Sequence, residues 1–239
     1  MGVKKKSLKL VCVCLSLLLF SNAFVAIPNV KAETTNSTDI SAAENSLDTV
    51  IEDISNYVDV EEDGITISDK SIIVKDISQE DIDNLNELAK SQGIEYDKPL
   101  TKESLISMFE EGIDKVNEEI TNDNLEVLDD GTLIDANDSD FYVQGGSTYD
   151  KTYWWGKKRY KSTSAANKWV SQLNTAANAN GAGALLAGAI FGAVGAIPNG
   201  LTSFYCYQLA NKVSYRNSLN NRGIIADVTW ALVFTTKSQ

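Results

Sequence analysis

Few residues in this chain have the type and spacing to do chemistry, and they concentrate in one run. Tyr153-Trp154-Trp155-Gly156-Lys157-Lys158-Arg159-Tyr160-Lys161 places aromatic rings beside four cations. Trp and Tyr favour the membrane–water interface, and cations beside them are drawn to anionic lipid. Trp154, Trp155, Lys157, Lys158, Arg159 and Tyr160 are therefore the expected contact with a membrane or partner. The same run also reads as a strand with a core tryptophan and a solvated basic face.

Catalytic chemistry finds little support. The chain has no histidine, so it lacks the usual general base and the commonest metal ligand. Cys206 has no imidazole to activate it and reads as a small buried apolar residue. The stretch Asp135-Ala136-Asn137-Asp138-Ser139-Asp140 has the acids of a calcium loop but not its central glycine, and Gly146 stands where the bidentate glutamate belongs. The expectation is a protein that is not an enzyme, holds no cofactor or metal, and does not bind nucleic acid.

A second feature is a glycine ridge. No charged residue lies between Lys168 and Lys212, and Ala182–Ile197 is wholly apolar. Within it Ala184, Gly188, Gly192 and Ala196 recur every fourth residue. On a helix they form one ridge of small side chains, the arrangement that lets two helix backbones approach closely. Pro198-Asn199-Gly200 predicts a turn, and Leu201 to Val213 a returning helix, so the expected object is a helical hairpin. Each glycine costs a water-exposed helix about 1 kcal/mol against alanine, so such a hairpin must pack tightly or insert. Sixteen residues span about 24 Å, short of the hydrocarbon core of about 30 Å. A central hairpin of a soluble domain and conditional insertion into a target membrane both remain open.

The elements that would position these residues fall into parts. Residues 1–32 read as a signal peptide, with Lys4, Lys5, Lys6 and Lys9 before an apolar run from Leu10 to Ala26, and cleavage between Ala32 and Glu33. The expected localisation is secreted. From Glu33 to Asp150 there are 32 acids and 6 bases; from Lys151 to Gln239 there are 10 bases and the single acid Asp227. A split of that size predicts two units with different partners. Residues 33–45 are polar and small and read as flexible, and a short helix is expected around Ser46–Tyr57. Residues 46–136 form an acidic α+β region: hairpins at 58–67 and 125–134, a helix capped by Ser78, and a helix starting at Thr101 with Leu105, Met108, Phe109, Ile113, Val116 and Ile120 as its stripe. Residues 137–146 read as a linker. The module 147–239 follows: strands to Tyr160, a helix from Ser162 with Trp169 and Leu173 inward, the glycine hairpin, and one closing strand in which Ile224, Ala226, Val228, Trp230, Leu232 and Phe234 share a face. The expected fold is α+β: a small acidic α+β region, then a C-terminal module of β-strands around a Gly/Ala-rich helical hairpin.

Trp154-Trp155-Gly156 followed by Arg159-Tyr160 and Ser162, the Gly/Ala-rich run, Arg222-Gly223-Ile224 and Val228-Thr229-Trp230 together resemble a group of secreted precursor proteins of Gram-positive bacteria. In these an acidic hairpin-plus-helix leader precedes a module entered by a WWG…R-Y motif and closed by an RG…V-x-W strand. Asp63-Gly64-Ile65 and Ser78-Gln79-Glu80-Asp81-Ile82 match the leader pattern. The resemblance covers most of residues 50–235 and implies a bacteriocin-like antimicrobial. With the charge split and the glycine ridge, the expectation is that the glycine-rich hairpin acts on the membrane or envelope of target bacteria, and that the acidic region masks it intramolecularly and keeps it soluble. The alternative is a secreted module that binds the envelope or another protein without insertion.

Overall fold

Ala43, Leu47, Val50 and Ile54 recur at helical spacing and are all buried, which gives the first helix its apolar stripe. That helix, α1 (Ser37–Ser55), opens the computed structural model. The structure describes residues 37–135, 141–143, 145–179, 183–192, 194 and 201–239. The leader at 1–32, with its cleavage pair Ala32 and Glu33, lies outside the described residues. The flexible stretch expected at 33–45 is corrected from Ser37 onward, because the stripe beginning at Ala43 gives α1 a surface to bury against α3 (Gln79–Ser91).

The acidic half follows the expected pattern closely. The hairpin β1 (Val58–Glu61) and β2 (Gly64–Ile67) pairs Val58 with Ile67 and Glu61 with Gly64. A short helix not foreseen, α2 (Lys70–Asp76), is capped by Asp69. Ser78 caps α3, accepting from the Asp81 amide. Thr101 and Ser104 form a reciprocal capping box at the start of α4 (Lys102–Thr121), whose Leu105, Phe109, Ile113 and Val116 are buried. A second hairpin, β3 (Leu125–Val127) and β4 (Leu133–Asp135), completes this half.

The linker at 137–146 is corrected in part. Residues 136–140 lie outside the described residues, but β5 (Phe141–Val143) is a strand, and Gly146 begins β6 (Gly146–Tyr153), which pairs with it. In addition β4 pairs with β6 through Leu133 and Thr152. The acidic hairpin is thus an edge of the module's sheet, whose order is β3-β4-β6-β7-β8-β9 with β5 also on β6. Here β7 is Gly156–Lys161, β8 Ile224–Thr229 and β9 Phe234–Ser238. The described residues from Ser37 onward form one compact unit with a shared core. The protein is an α+β fold.

The closing strand is two. Residues 230–233 turn the chain between β8 and β9, although no Gly, Pro or Asn stands there. Leu232 adopts the left-handed region at φ 66°, a conformation uncommon for a side chain of its size. Its surroundings hold it: the Leu232 amide donates to Thr229 O at 2.9 Å, the Tyr205 hydroxyl donates to Leu232 O at 2.7 Å, and the Trp230 amide donates to Trp155 O at 3.0 Å.

The helical hairpin is also corrected. After α5 (Thr163–Asn178), the apolar segment yields α6 (Gly183–Phe191), only nine residues. The turn at 198–200 lies outside the described residues. The returning helix α7 (Ser203–Ser218) packs along α5 rather than forming a pair with α6. Among the described residues no helix is long and apolar enough to cross a membrane.

Candidate functional site

The two tryptophans of the motif occupy the two-residue turn between β6 and β7, bracketed by the Tyr153–Gly156 pair. Gly156 has φ 153°, and a Cβ there would collide with the Val228 carbonyl and Thr229. Only glycine lets β7 lie this close to β8 at that point.

This turn and the β8–β9 turn meet the acidic half. Trp154 and Trp155 are 6% and 7% exposed, and Trp230 is 2% exposed. Trp154 meets Phe109 of α4 edge to face at 5.3 Å. The Trp230 indole N–H donates to Trp154 O at 2.8 Å, and its ring lies 5.0 Å from Phe191 of α6. Against the same indole lies Gly112, in the middle of α4, where a Cβ would collide with the ring. The Gln92 side chain behaves as a strand does: it accepts from the Phe234 amide at 3.0 Å and donates to the Phe234 carbonyl at 2.5 Å. Tyr96 donates its hydroxyl to Ala231 O, and burial pushes that hydroxyl's pKa well up. Trp154 and Trp155, expected to contact a membrane or partner, are buried in the folded chain. Trp154 is a large apolar surface that Phe109 of α4 helps to bury, and Trp155 is covered by Tyr153 and Lys158.

The basic run is likewise divided. Alternation along β7 sends Lys157, Arg159 and Lys161 to one face and Lys158 and Tyr160 to the other, so the cations cannot form a single patch. On the inner face the Arg159 guanidinium donates to Asp150 Oδ2 at 2.8 and 3.1 Å and to the Ala189 and Ile190 carbonyls at 2.9 and 2.8 Å. It also stacks over Trp169 at 4.6 Å. Trp169 Nε1 donates to Ala189 O as well, at 2.8 Å. These donors satisfy carbonyls at the end of α6 that its own helix leaves free. Lys161 lies 2.7 Å from Asp150 Oδ1. Burial works against the Asp150 carboxylate, but Arg159 and Lys161 outweigh it and hold its pKa well below the usual range. Lys157 is 6% exposed. Burial, with Arg159 nearby, brings its pKa down to about 8.

The outer face is wetter. Tyr149 and Tyr160 stack at 4.2 Å, and Tyr153 and Trp155 at 5.1 Å. Lys158 sits over the Tyr153 and Trp155 rings at 5.8 and 6.0 Å and pairs with Asp227 at 3.6 Å. Burial raises the Asp227 pKa, against the pull of Lys158 and Lys237. Of the predicted contact residues on β7, Lys158 and Tyr160 lie on this face, with the Trp155 ring under Lys158.

The small-residue ridge does not pack as expected. Ala184 and Gly188 are exposed, and a Cβ on Gly188 would meet nothing within 4 Å. Gly192 lies beyond the helix at φ 70°, and Ala196 lies outside the described residues. The buried side of α6 is instead Leu186, Ala187, Ile190 and Phe191. The larger side chains win this competition, because they remove more apolar area from water. Ala184, Leu185 and Gly188 border a groove of about 520 Å³ shared with Ser171, Thr175 and Ala176 of α5.

Cys206 is fully buried, and burial pushes its thiol pKa up to about 12, which removes the nucleophilic thiolate at neutral pH. Among the described residues no group of three His, Cys, Asp or Glu side chains is placed to hold a metal ion. Asp150, Gln92 and Gly112 are the contributors that sequence patterns missed. A glycine in the middle of an otherwise good helix was the one available signal. No protein-family model, curated protein or solved structure matches the chain.

Proposed function

We propose that the chain is a secreted, bacteriocin-like antimicrobial protein in a masked form. The acidic half covers the aromatic end of the basic half until the two are separated. The observation that supports this best is the burial of Trp154 and Trp230 of the basic half against Phe109 and Gly112 of α4 in the acidic half. Separation would expose rings suited to a membrane interface, beside cations suited to anionic lipid. The test uses chain 33–239 with a protease site placed within 136–140, on dye-loaded anionic vesicles and on Gram-positive cells, before and after cutting. The intact chain is expected to be silent and the cut chain to release dye and kill. Silence in both states, with the cut fragments shown to separate, overturns the reading.

A second reading has its own support. At nine residues α6 spans about 14 Å, well under the hydrocarbon thickness. A secreted module that docks on the envelope without insertion needs nothing longer. It predicts that the cut chain sediments with vesicles or cell walls but releases no dye.

A further inference from the structure

The turn between β8 and β9 has no local signal of its own. Trp230-Ala231-Leu232-Val233 contains no Gly, Pro or Asn, and its apolar alternation continues that of β8. Leu232 nevertheless stands at φ 66°, where an L side chain crowds the following carbonyl. Within the hairpin the turn is closed by the Leu232 amide on Thr229 O and by Thr229, whose amide and hydroxyl each donate to Val233 O at 3.0 Å. A local preference that contradicts the fold must be overruled by contacts from elsewhere.

Many of those contacts come from the acidic half. Gln92 caps the end of α3: its amide donates to Leu88 O at 3.0 Å, and Gly93 behind it takes φ 72°. Its buried side-chain amide is taken up by the N–H and carbonyl of Phe234, the first residue of β9. Tyr96 donates to Ala231 O. Gly112 leaves the space that the Trp230 ring fills. The acidic half thus meets residues 230, 231 and 234. The basic half adds Tyr205 on Leu232 O and Trp155 O on the Trp230 amide.

The helices that carry these groups are specified without the hairpin. Ser78 and Gly93 mark the two ends of α3, and the Thr101–Ser104 box starts α4. Signals within a few residues act faster than pairings distant in sequence. Gln92 and Phe234 are 142 residues apart, but the cost of closing a loop grows only slowly with its length.

We propose that the acidic half is a folding template for the β8–β9 hairpin. The helices α3 and α4 form first, and Gln92, Tyr96 and Gly112 then impose the 230–233 turn on a segment whose own pattern is extended. This gives the acidic half a role during folding that is separate from masking in the finished protein. The inference does not depend on antimicrobial activity.

The test is the refolding and unfolding rates of chain 33–239 across denaturant, for wild type, Gln92→Leu and Tyr96→Phe. Refolding is started after a brief unfolding pulse, so that proline isomers are unchanged. Contacts made as the hairpin forms reveal their loss in the refolding rate, whereas contacts added afterwards reveal it in the unfolding rate. Refolding is expected to slow at least about tenfold in Gln92→Leu and about fivefold in Tyr96→Phe, with unfolding within about twofold of wild type. Tyr96→Phe is the milder change and carries the test alone should Gln92→Leu not fold. A loss of stability carried mainly by faster unfolding overturns the proposal and makes these contacts clamps on a hairpin that folds by itself. Rates unchanged in both variants overturn it as well.

Discussion

Gly112 of α4 lies flush against the indole of Trp230, so close that a Cβ on the glycine would overlap the ring. The indole's other ring neighbour is Phe191 of α6. Trp230 is therefore shared between the acidic half and the shortest helix of the basic half. That arrangement packs α4 and α6 against one ring, and each contact around it has a distinct energetic signature.

Gly112→Ala is expected to destabilise the protein. In an exposed helix this change gains about 1 kcal/mol, but here the new methyl must displace an indole that is fixed by its bond to Trp154 O. Overpacking of this kind costs about 1–3 kcal/mol. Urea denaturation measures the balance. A more stable variant would show that α4 can move away from Trp230 freely.

Gln92→Leu removes both hydrogen bonds to the Phe234 backbone in a buried site. Each group left without a partner costs about 1–3 kcal/mol. A loss of about 3 kcal/mol is expected, together with faster amide exchange along β9. Exchange that stays unchanged at Phe234 would mean that water replaces the amide.

Lys157 and Asp150 have opposite effects on stability as pH changes. The folded pKa of Lys157 lies below its unfolded value, so the penalty for its charge is full below about pH 8 and disappears as pH rises through the unfolded value. The shift of 10.5 to about 8 corresponds to about 3 kcal/mol. Lys157→Met should therefore stabilise the fold at neutral pH and lose that advantage above about pH 10. Denaturation midpoints of both proteins across pH would test it, and an advantage independent of pH would count against it.

Asp150 has a folded pKa below its unfolded one. Its contribution is fully present above about pH 4 and is lost as pH falls from there through the folded value. Asp150→Asn leaves Arg159 and Lys161 without their carboxylate, a break that costs about 3–5 kcal/mol for a buried pair. The variant should be less stable at neutral pH and should lose less than wild type on acidification. Equal acid sensitivity in the two would place the acid response elsewhere.

The legible parts of the fold were those set by local pattern. Ser78 with Asp81, Thr101 with its stripe, and the turns at Gly64 and Gly131 each carry their own signal within a few residues. What was not legible depends on partners far along the chain. Trp154 reads as an interfacial anchor until Phe109 is placed beside it, and Arg159 as a surface cation until Asp150 and the end of α6 meet it. The β8–β9 turn was hidden because its residues keep the alternation of a strand. Only Tyr205, Tyr96 and the β6–β7 turn, gathered around residues 230–233, make Leu232 at positive φ acceptable. Without those contacts, alternation favours one long strand.

Gly188 separates the sequence reading of α6 from the structural one most cleanly. A glycine in a ridge that seats another helix cannot accept a side chain, and Ala or Leu there would force the helices apart. In this fold Gly188 is exposed, with open space where a Cβ would go, and its conformation is helical. Alanine would then keep every contact and remove the backbone freedom that glycine retains when unfolded. Gly188→Ala is expected to stabilise the protein by about 0.5–1 kcal/mol and to slow amide exchange in α6, because a better helix former frays less often. Destabilisation would instead mean that another helix already sits on the ridge in solution, where the fold leaves open space.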